Sequence, residues 1–182
     1  MTSTHIHSSD TKQGSRFFLV GMMGSGKSYW MRKMSGMIQG EAYDLDALIE
    51  TSEGKSIAQI FAEHGESYFR EREAELLRSF EHKTNFVLAT GGGTPCFHDN
   101  MLWMNTHGTT IWIDRTVDVL IEHLLKGKDH RPLIKELSND QLHDFISKKL
   151  NERLPYYVLS SYRLQNEDVT EERFKQIISE NA

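Results

Sequence analysis

Eight consecutive residues, Gly21-Met22-Met23-Gly24-Ser25-Gly26-Lys27-Ser28, have the make-up of a phosphate cradle. Gly21, Gly26, Lys27 and Ser28 match the pattern G-x-x-x-x-G-K-[ST]. In that pattern glycines let backbone N–H groups converge on phosphate oxygens, and the following helix aims its positive end at the same point. Lys27 then reaches the β and γ phosphates of a nucleoside triphosphate, and the Ser28 hydroxyl is placed to ligate Mg²⁺. The loop fixes the donor half of a phosphoryl transfer and leaves the acceptor open, because GTPase switches, motor ATPases, nucleotide kinases and metabolite kinases all use it. No N-K-x-D sequence follows, which weighs against a guanine switch.

A carboxylate is also needed near the metal. The apolar run Asn85 to Thr90 carries none, so Asp44 is the nearest candidate by sequence. Asp44-Leu45-Asp46 ends the apolar-polar run from Glu41; on an extended segment residues two apart point the same way, so both carboxylates can face one cleft. One would support Mg²⁺ through water while the other orients or deprotonates an alcohol. An acidic helix N-cap at Asp46 is the competing account.

The elements that must carry these groups alternate. Strands are expected at Arg16–Val20, Glu41–Leu45, Asn85–Thr90, Thr109–Asp114 and near Tyr162–Leu164. Helices are expected at Lys27–Ile38, Ala47–Glu53, Ser56–His64, Glu66–His82, Asp99–Thr106, Val117–Leu125, Asn139–Ser160 with Pro155 bending it, and Glu171–Ser179. This order predicts an α/β fold: a mostly parallel sheet, helices on both faces, and ligands at the carboxyl ends of the strands, where the phosphate loop and Gly91-Gly92-Gly93 both fall.

Bulk properties agree with one compact domain over 16–182 after a polar, disordered tail at 1–15. Hydrophobic residues make up 38% of the 182 and charged residues 26%, a globular composition. The net charge of −5 without basic runs argues against nucleic acid, and no apolar stretch is long enough to span a membrane. A single cysteine, Cys96, and no signal-like segment suit a reducing cytoplasm. The histidines show no metal-ligand spacing, and Trp30, Trp103 and Trp112 read as core aromatics.

Taken in order, GMMGSGKS (21–28), DLDALIE (44–50), GKSIAQIF (54–61), HGESYFRERE (64–73), TGGGT (90–94), HRPL (130–133) and ERLPYY (152–157) closely resemble the shikimate kinase family, from Phe18 to Arg163. The resemblance implies a three-layer P-loop kinase fold with a central five-stranded parallel sheet and a mobile lid at about 126–138, a substrate region at about 44–80, and a monomer. It implies transfer of the γ-phosphoryl group of ATP, with Mg²⁺, to the 3-hydroxyl of shikimate, in the synthesis of chorismate and aromatic amino acids. Gly24, Ser25, Gly26, Lys27, Ser28, Tyr29 and Arg131 become the ATP-binding set, with Ser28, and Asp44 through water, on the metal. Asp46, Lys27 and Arg131 become catalytic: Asp46 as hydroxyl-binding carboxylate and base, Arg131 as the lid arginine that neutralises charge on the moving phosphoryl group. Arg70 and Arg153 match carboxylate-binding arginines, whose planar forks suit bidentate grip. Gly92 and Gly93 let the backbone approach the substrate ring, and Phe61 and Phe69 supply apolar contact. Glu73, a turn after Arg70, either holds that arginine or is simply exposed.

The match departs in places. Tyr29 stands where threonine is usual, Met31 where glycine is common, and His123 falls near the arginine that stacks on adenine. A related metabolite kinase, such as one acting on gluconate, and a nucleotide-binding regulator without transfer activity are the rival readings.

Overall fold

The computed structural model describes residues 14–126 and 137–181. Arg131, most of the expected lid and the tail through residue 13 lie outside the described residues. Five strands, β1 Arg16–Val20, β2 Glu41–Asp44, β3 Phe86–Ala89, β4 Thr109–Asp114 and β5 Tyr162–Gln165, form one sheet in the order β2-β3-β1-β4-β5. All neighbouring pairs are parallel. Seven helices connect and flank the strands among the described residues: α1 Lys27–Ile38, α2 Leu45–Glu53, α3 Ile57–Arg78, α4 Asn100–His107, α5 Val117–Leu125, α6 Asn139–Tyr157 and α7 Glu171–Glu180. This is the expected α/β sandwich with its parallel five-stranded sheet.

Strand alternation makes two cores. Phe17 and Leu19 of β1 face one side with Val87, Ile111 and Ile113, while Phe18 and Val20 face the other with Phe86 and Leu88. The first core is closed by α1 and α7, where Trp30 stacks on Phe174 at 4.3 Å between ring centres. The second is closed by helices α2 to α6. Both faces being covered, β3 can be apolar throughout and β1 apolar from Phe17 to Val20.

Three boundaries differ from expectation, and the first bears directly on the site. The strand stops at Asp44 and helix begins at Leu45, so Asp46 lies in the first turn of α2 and does not share an extended face with Asp44. The cause is local: the Asp44 carboxylate, not that of Asp46, caps the helix by accepting from the Ala47 N–H, and fully buried Leu45 anchors that turn. The helix expected to run to His82 ends at Arg78, and α6 ends at Tyr157 rather than Ser160. Gly65 does punctuate α3, with φ 81° interrupting the helical path.

Candidate functional site

The loop after β1 is shaped by its glycines. Gly24 and Gly26 have φ of 81° and 96°, the left-handed region that side chains disfavour, and Gly26 caps the start of α1. Lys27 curls back, its Nζ donating to the carbonyls of Gly21 and Met22 at 2.8 and 2.9 Å. The Ser25 hydroxyl is buried with no hydrogen-bond partner, a polar group that an incoming phosphate would satisfy. Ser28 Oγ donates to Asp44 Oδ2 at 2.8 Å, which joins the two residues expected at the metal. Tyr29 turns outward, half exposed, with its ring edge-on to Trp30. His123, on α5, is hydrogen-bonded through Nδ1 to the Gly24 carbonyl at 2.8 Å. A carbonyl only accepts, so Nδ1 carries the proton, and the imidazole braces the loop instead of standing free at the surface.

Beside this loop lies the turn Gly91-Gly92-Gly93, and each glycine is needed for close approach. A Cβ on Gly91 would lie 2.8 Å from Asp46 Oδ1, 2.9 Å from Glu73 Oε1 and 3.0 Å from Thr94 Oγ1. On Gly92 it would meet Arg153 NH1 at 2.8 Å, and on Gly93 Arg70 NH2 at 2.6 Å. Helices α2, α3 and α6 therefore deliver Asp46, Arg70 and Arg153 onto three successive glycines. The same Gly92 position is 3.5 Å from the Gly21 carbonyl oxygen and 3.6 Å from the Met23 nitrogen, so turn and phosphate loop abut.

The two arginines differ in their electrostatics. Arg70 is nearly buried and fully engaged: NH1 donates to Glu73 Oε2 at 2.9 Å, while Nε and NH2 donate to Glu66 Oε1 at 3.2 and 3.1 Å. Its guanidinium also lies over the rings of Phe97, at 4.3 Å, and Phe69, at 5.0 Å. Arg153 has no carboxylate within ion-pair distance among the described residues; its NH1 contacts Met22 Sδ at 3.4 Å. It is the cation whose charge is left for an anionic ligand.

Glu73 proves fully buried, holding Arg70 on one oxygen and accepting from Thr94 Oγ1 on the other. Loss of solvent pushes the Asp46 carboxyl up to about 6, with the Asp44 and Glu73 charges adding to the effect and Lys27 and Arg70 opposing it. A carboxylate poised there can take a proton near neutral pH. Burial likewise pushes the Cys96 thiol up to about 11, which makes it a poor nucleophile.

Phe69 is buried and Phe61 more exposed, with 4.8 Å between their rings, so the pair forms one apolar wall. Three residues of the site had no role assigned from sequence: Thr94, Phe97 and Tyr157, whose hydroxyl donates to the Gly92 carbonyl at 2.5 Å. Thr94 and Tyr157 fall within the quoted motifs, but nothing in Phe97's neighbourhood in sequence points to Arg70.

A parallel sheet with a nucleotide-phosphate loop at its carboxyl edge, next to a pocket holding a poised carboxylate and two guanidinium groups, defines a P-loop kinase acting on a small anionic alcohol. Sequence and structure comparisons narrow the class. The family described as shikimate kinase matches residues 23–181. A shikimate kinase of Bacteroides thetaiotaomicron is 38% identical over 160 residues, 88% of this chain and 91% of that one. The crystal structure of shikimate kinase from that organism superposes with a TM-score of 0.83 at 36% identity, covering 91% of this chain and 97% of the other. Shikimate kinase from Acinetobacter baumannii in complex with shikimate gives 0.77 at 26% identity, covering 91% and 89%. The chain belongs to the shikimate kinase family.

Proposed function

We propose that the protein transfers the γ-phosphoryl group of ATP to the 3-hydroxyl of shikimate, giving shikimate 3-phosphate and ADP. The convergence of Asp46, Arg153 and Arg70 on Gly91, Gly92 and Gly93 carries this reading, because shikimate presents one carboxylate for cations and ring hydroxyls for an acceptor. Arg153, without a carboxylate partner among the described residues, takes the substrate carboxylate, and Arg70, held rigid by Glu66 and Glu73, supplies the second fork. Asp46 orients the 3-hydroxyl and receives its proton as the oxygen bonds to the γ-phosphorus and the bond to the ADP oxygen breaks. Lys27 leaves the Gly21 and Met22 carbonyls for the phosphates, and Arg131 closes over the transferring group from the lid.

The residues fit Mg²⁺. One hydroxyl and one carboxylate, Ser28 and Asp44, stand 2.8 Å apart beside the loop, and no cluster of three or more metal-ligating side chains exists among the described residues. That sparse set suits an ion that keeps water and phosphate oxygens as its other ligands. When bound, the ion neutralises phosphate charge; Ser28 would hold it directly and Asp44 through water.

No described helix is long and apolar enough to cross a membrane; from the single cysteine, Cys96, which suits a reducing compartment, we infer a cytoplasmic enzyme. An ADP-release assay with shikimate, gluconate and nucleoside monophosphates as acceptors tests the proposal. Release should depend on shikimate. Release driven by gluconate instead, or by none of them, would overturn it.

A further inference from the structure

We propose that Tyr157 is a positioning residue that sets the orientation of the acceptor turn. This rests on reading Gly91–Gly93 as the acceptor site. Tyr157 is fully buried in the last turn of α6, one helical turn after Arg153, so both side chains leave the same face of the helix. Its hydroxyl donates to the Gly92 carbonyl at 2.5 Å and lies 3.7 Å from Met22 Sδ, while Arg153 NH1 touches the same sulfur at 3.4 Å. One face of α6 thus grips three things at once: the phosphate loop through Met22, the glycine turn through Gly92, and the pocket through Arg153.

The consequence for the turn follows from peptide geometry. No peptide among the described residues is cis, and in a trans peptide the C=O and the following N–H point in opposite directions. Tyr157 draws the Gly92 carbonyl into the core, so the Gly93 N–H is turned out of it. Glycine has no side chain to hold its peptide in one orientation, and its two flanking residues do not restrict it sterically, so an external hydrogen bond has to choose the orientation. The phenol is buried against Trp112, with ring centres 5.6 Å apart, and desolvation drives its pKa upward, so it stays a donor throughout the working pH range. The bond makes Tyr157 a determinant of acceptor geometry without touching the acceptor.

Tyr157→Phe removes the hydroxyl and keeps the ring. The expected result is a 5- to 20-fold rise in KM for shikimate with KM for ATP within twofold, in an enzyme that still unfolds cooperatively. Ile146→Val, also on α6 and fully buried but remote from the turn's hydrogen bonds, controls for loosened packing: it should lower Tm and leave KM for shikimate unchanged. The proposal falls if Tyr157→Phe leaves KM for shikimate within twofold, if both KM values rise together, or if Ile146→Val reproduces the shikimate effect. Wild-type enzyme that showed no shikimate-dependent ADP release would instead remove the functional reading itself, so the two failures are separable.

Discussion

The phosphate loop and the acceptor pocket meet at Gly92, yet they are built on opposite plans. The loop is eight consecutive residues whose geometry follows from glycine torsions and the start of one helix. The pocket draws Asp46 from α2, Arg70 and Glu73 from α3, the glycines from the end of β3 and Arg153 from α6. A local site is robust because few contacts must form; a composite site inherits the packing of every element that feeds it. The pocket also stores its charges unevenly, with Arg70 neutralised twice over and Arg153 without a carboxylate partner among the described residues.

Substitutions can break this contrast. The largest effect is expected for Asp46→Asn: kcat should fall by roughly 10²- to 10⁴-fold, the range of a lost general base, with ATP affinity kept. Steady-state kinetics beside an ATP titration would measure it, and a kcat within tenfold of wild type would exclude the assigned role. Gly91→Ala comes next. Its Cβ would press on Asp46, buried Glu73 and Thr94 at 2.8–3.0 Å, so the strain should cost about 1–3 kcal/mol and reduce kcat/KM for shikimate by about 10- to 100-fold. Nucleotide binding should stay near wild type; if it collapsed too, the loop would not be the independent local unit described.

Truncating the two arginines sharpens the electrostatic difference. Both Arg70→Ala and Arg153→Ala should raise KM for shikimate by about tenfold or more, since a charge-assisted hydrogen bond is worth about 1.5–3 kcal/mol. Their stabilities should part. Arg70→Ala strands the buried Glu73 charge and should cost about 3–5 kcal/mol, whereas Arg153→Ala, which leaves no buried carboxylate behind, should cost under about 1 kcal/mol. Chemical denaturation of both variants decides the point, and equal losses would contradict it.

The most graded effect is one of pH. With the Asp46 carboxyl at about 6, kcat/KM should fall tenfold per pH unit below that value as the base is protonated. Stability runs the other way. The folded state holds this proton more tightly than the unfolded chain, whose carboxyl titrates near 3.8, so a penalty grows as pH rises from 3.8 to 6 and is complete above. Asp46→Asn, which cannot ionise, should therefore be the more stable protein at pH 8 by about 2–3 kcal/mol, at ~1.4 kcal/mol per pH unit, and should lose that advantage near pH 4. Thermal melts of both proteins across that range would show whether the site trades stability for basicity.

How much could be read in advance follows the same division. The loop, the helix Val117–Leu125 and the strand Thr109–Asp114 were legible because residues close in sequence dictate them. Asp46 was singled out for the right neighbourhood by a wrong route: the capping bond from Asp44 ends the strand two residues before it. Whether Glu73 pairs or points outward was undecidable from its spacing, since a helix offers both, and burial against the glycine turn chose pairing. His123 read as a surface residue or a base-stacking ring until the packing of α5 brought it to the Gly24 carbonyl.

The amino-acid order alone fixed the phosphate loop, the alternation of strands and helices and the family, because each depends on torsions, periodicity or motifs spanning a few residues. Tertiary structure alone decided which carboxylate caps and which faces the pocket, which arginine is already neutralised, and that Phe97 and Tyr157 belong to the site. Those outcomes depend on side chains from separate elements competing for the same few ångströms above three glycines, a contest that no local stretch of sequence records.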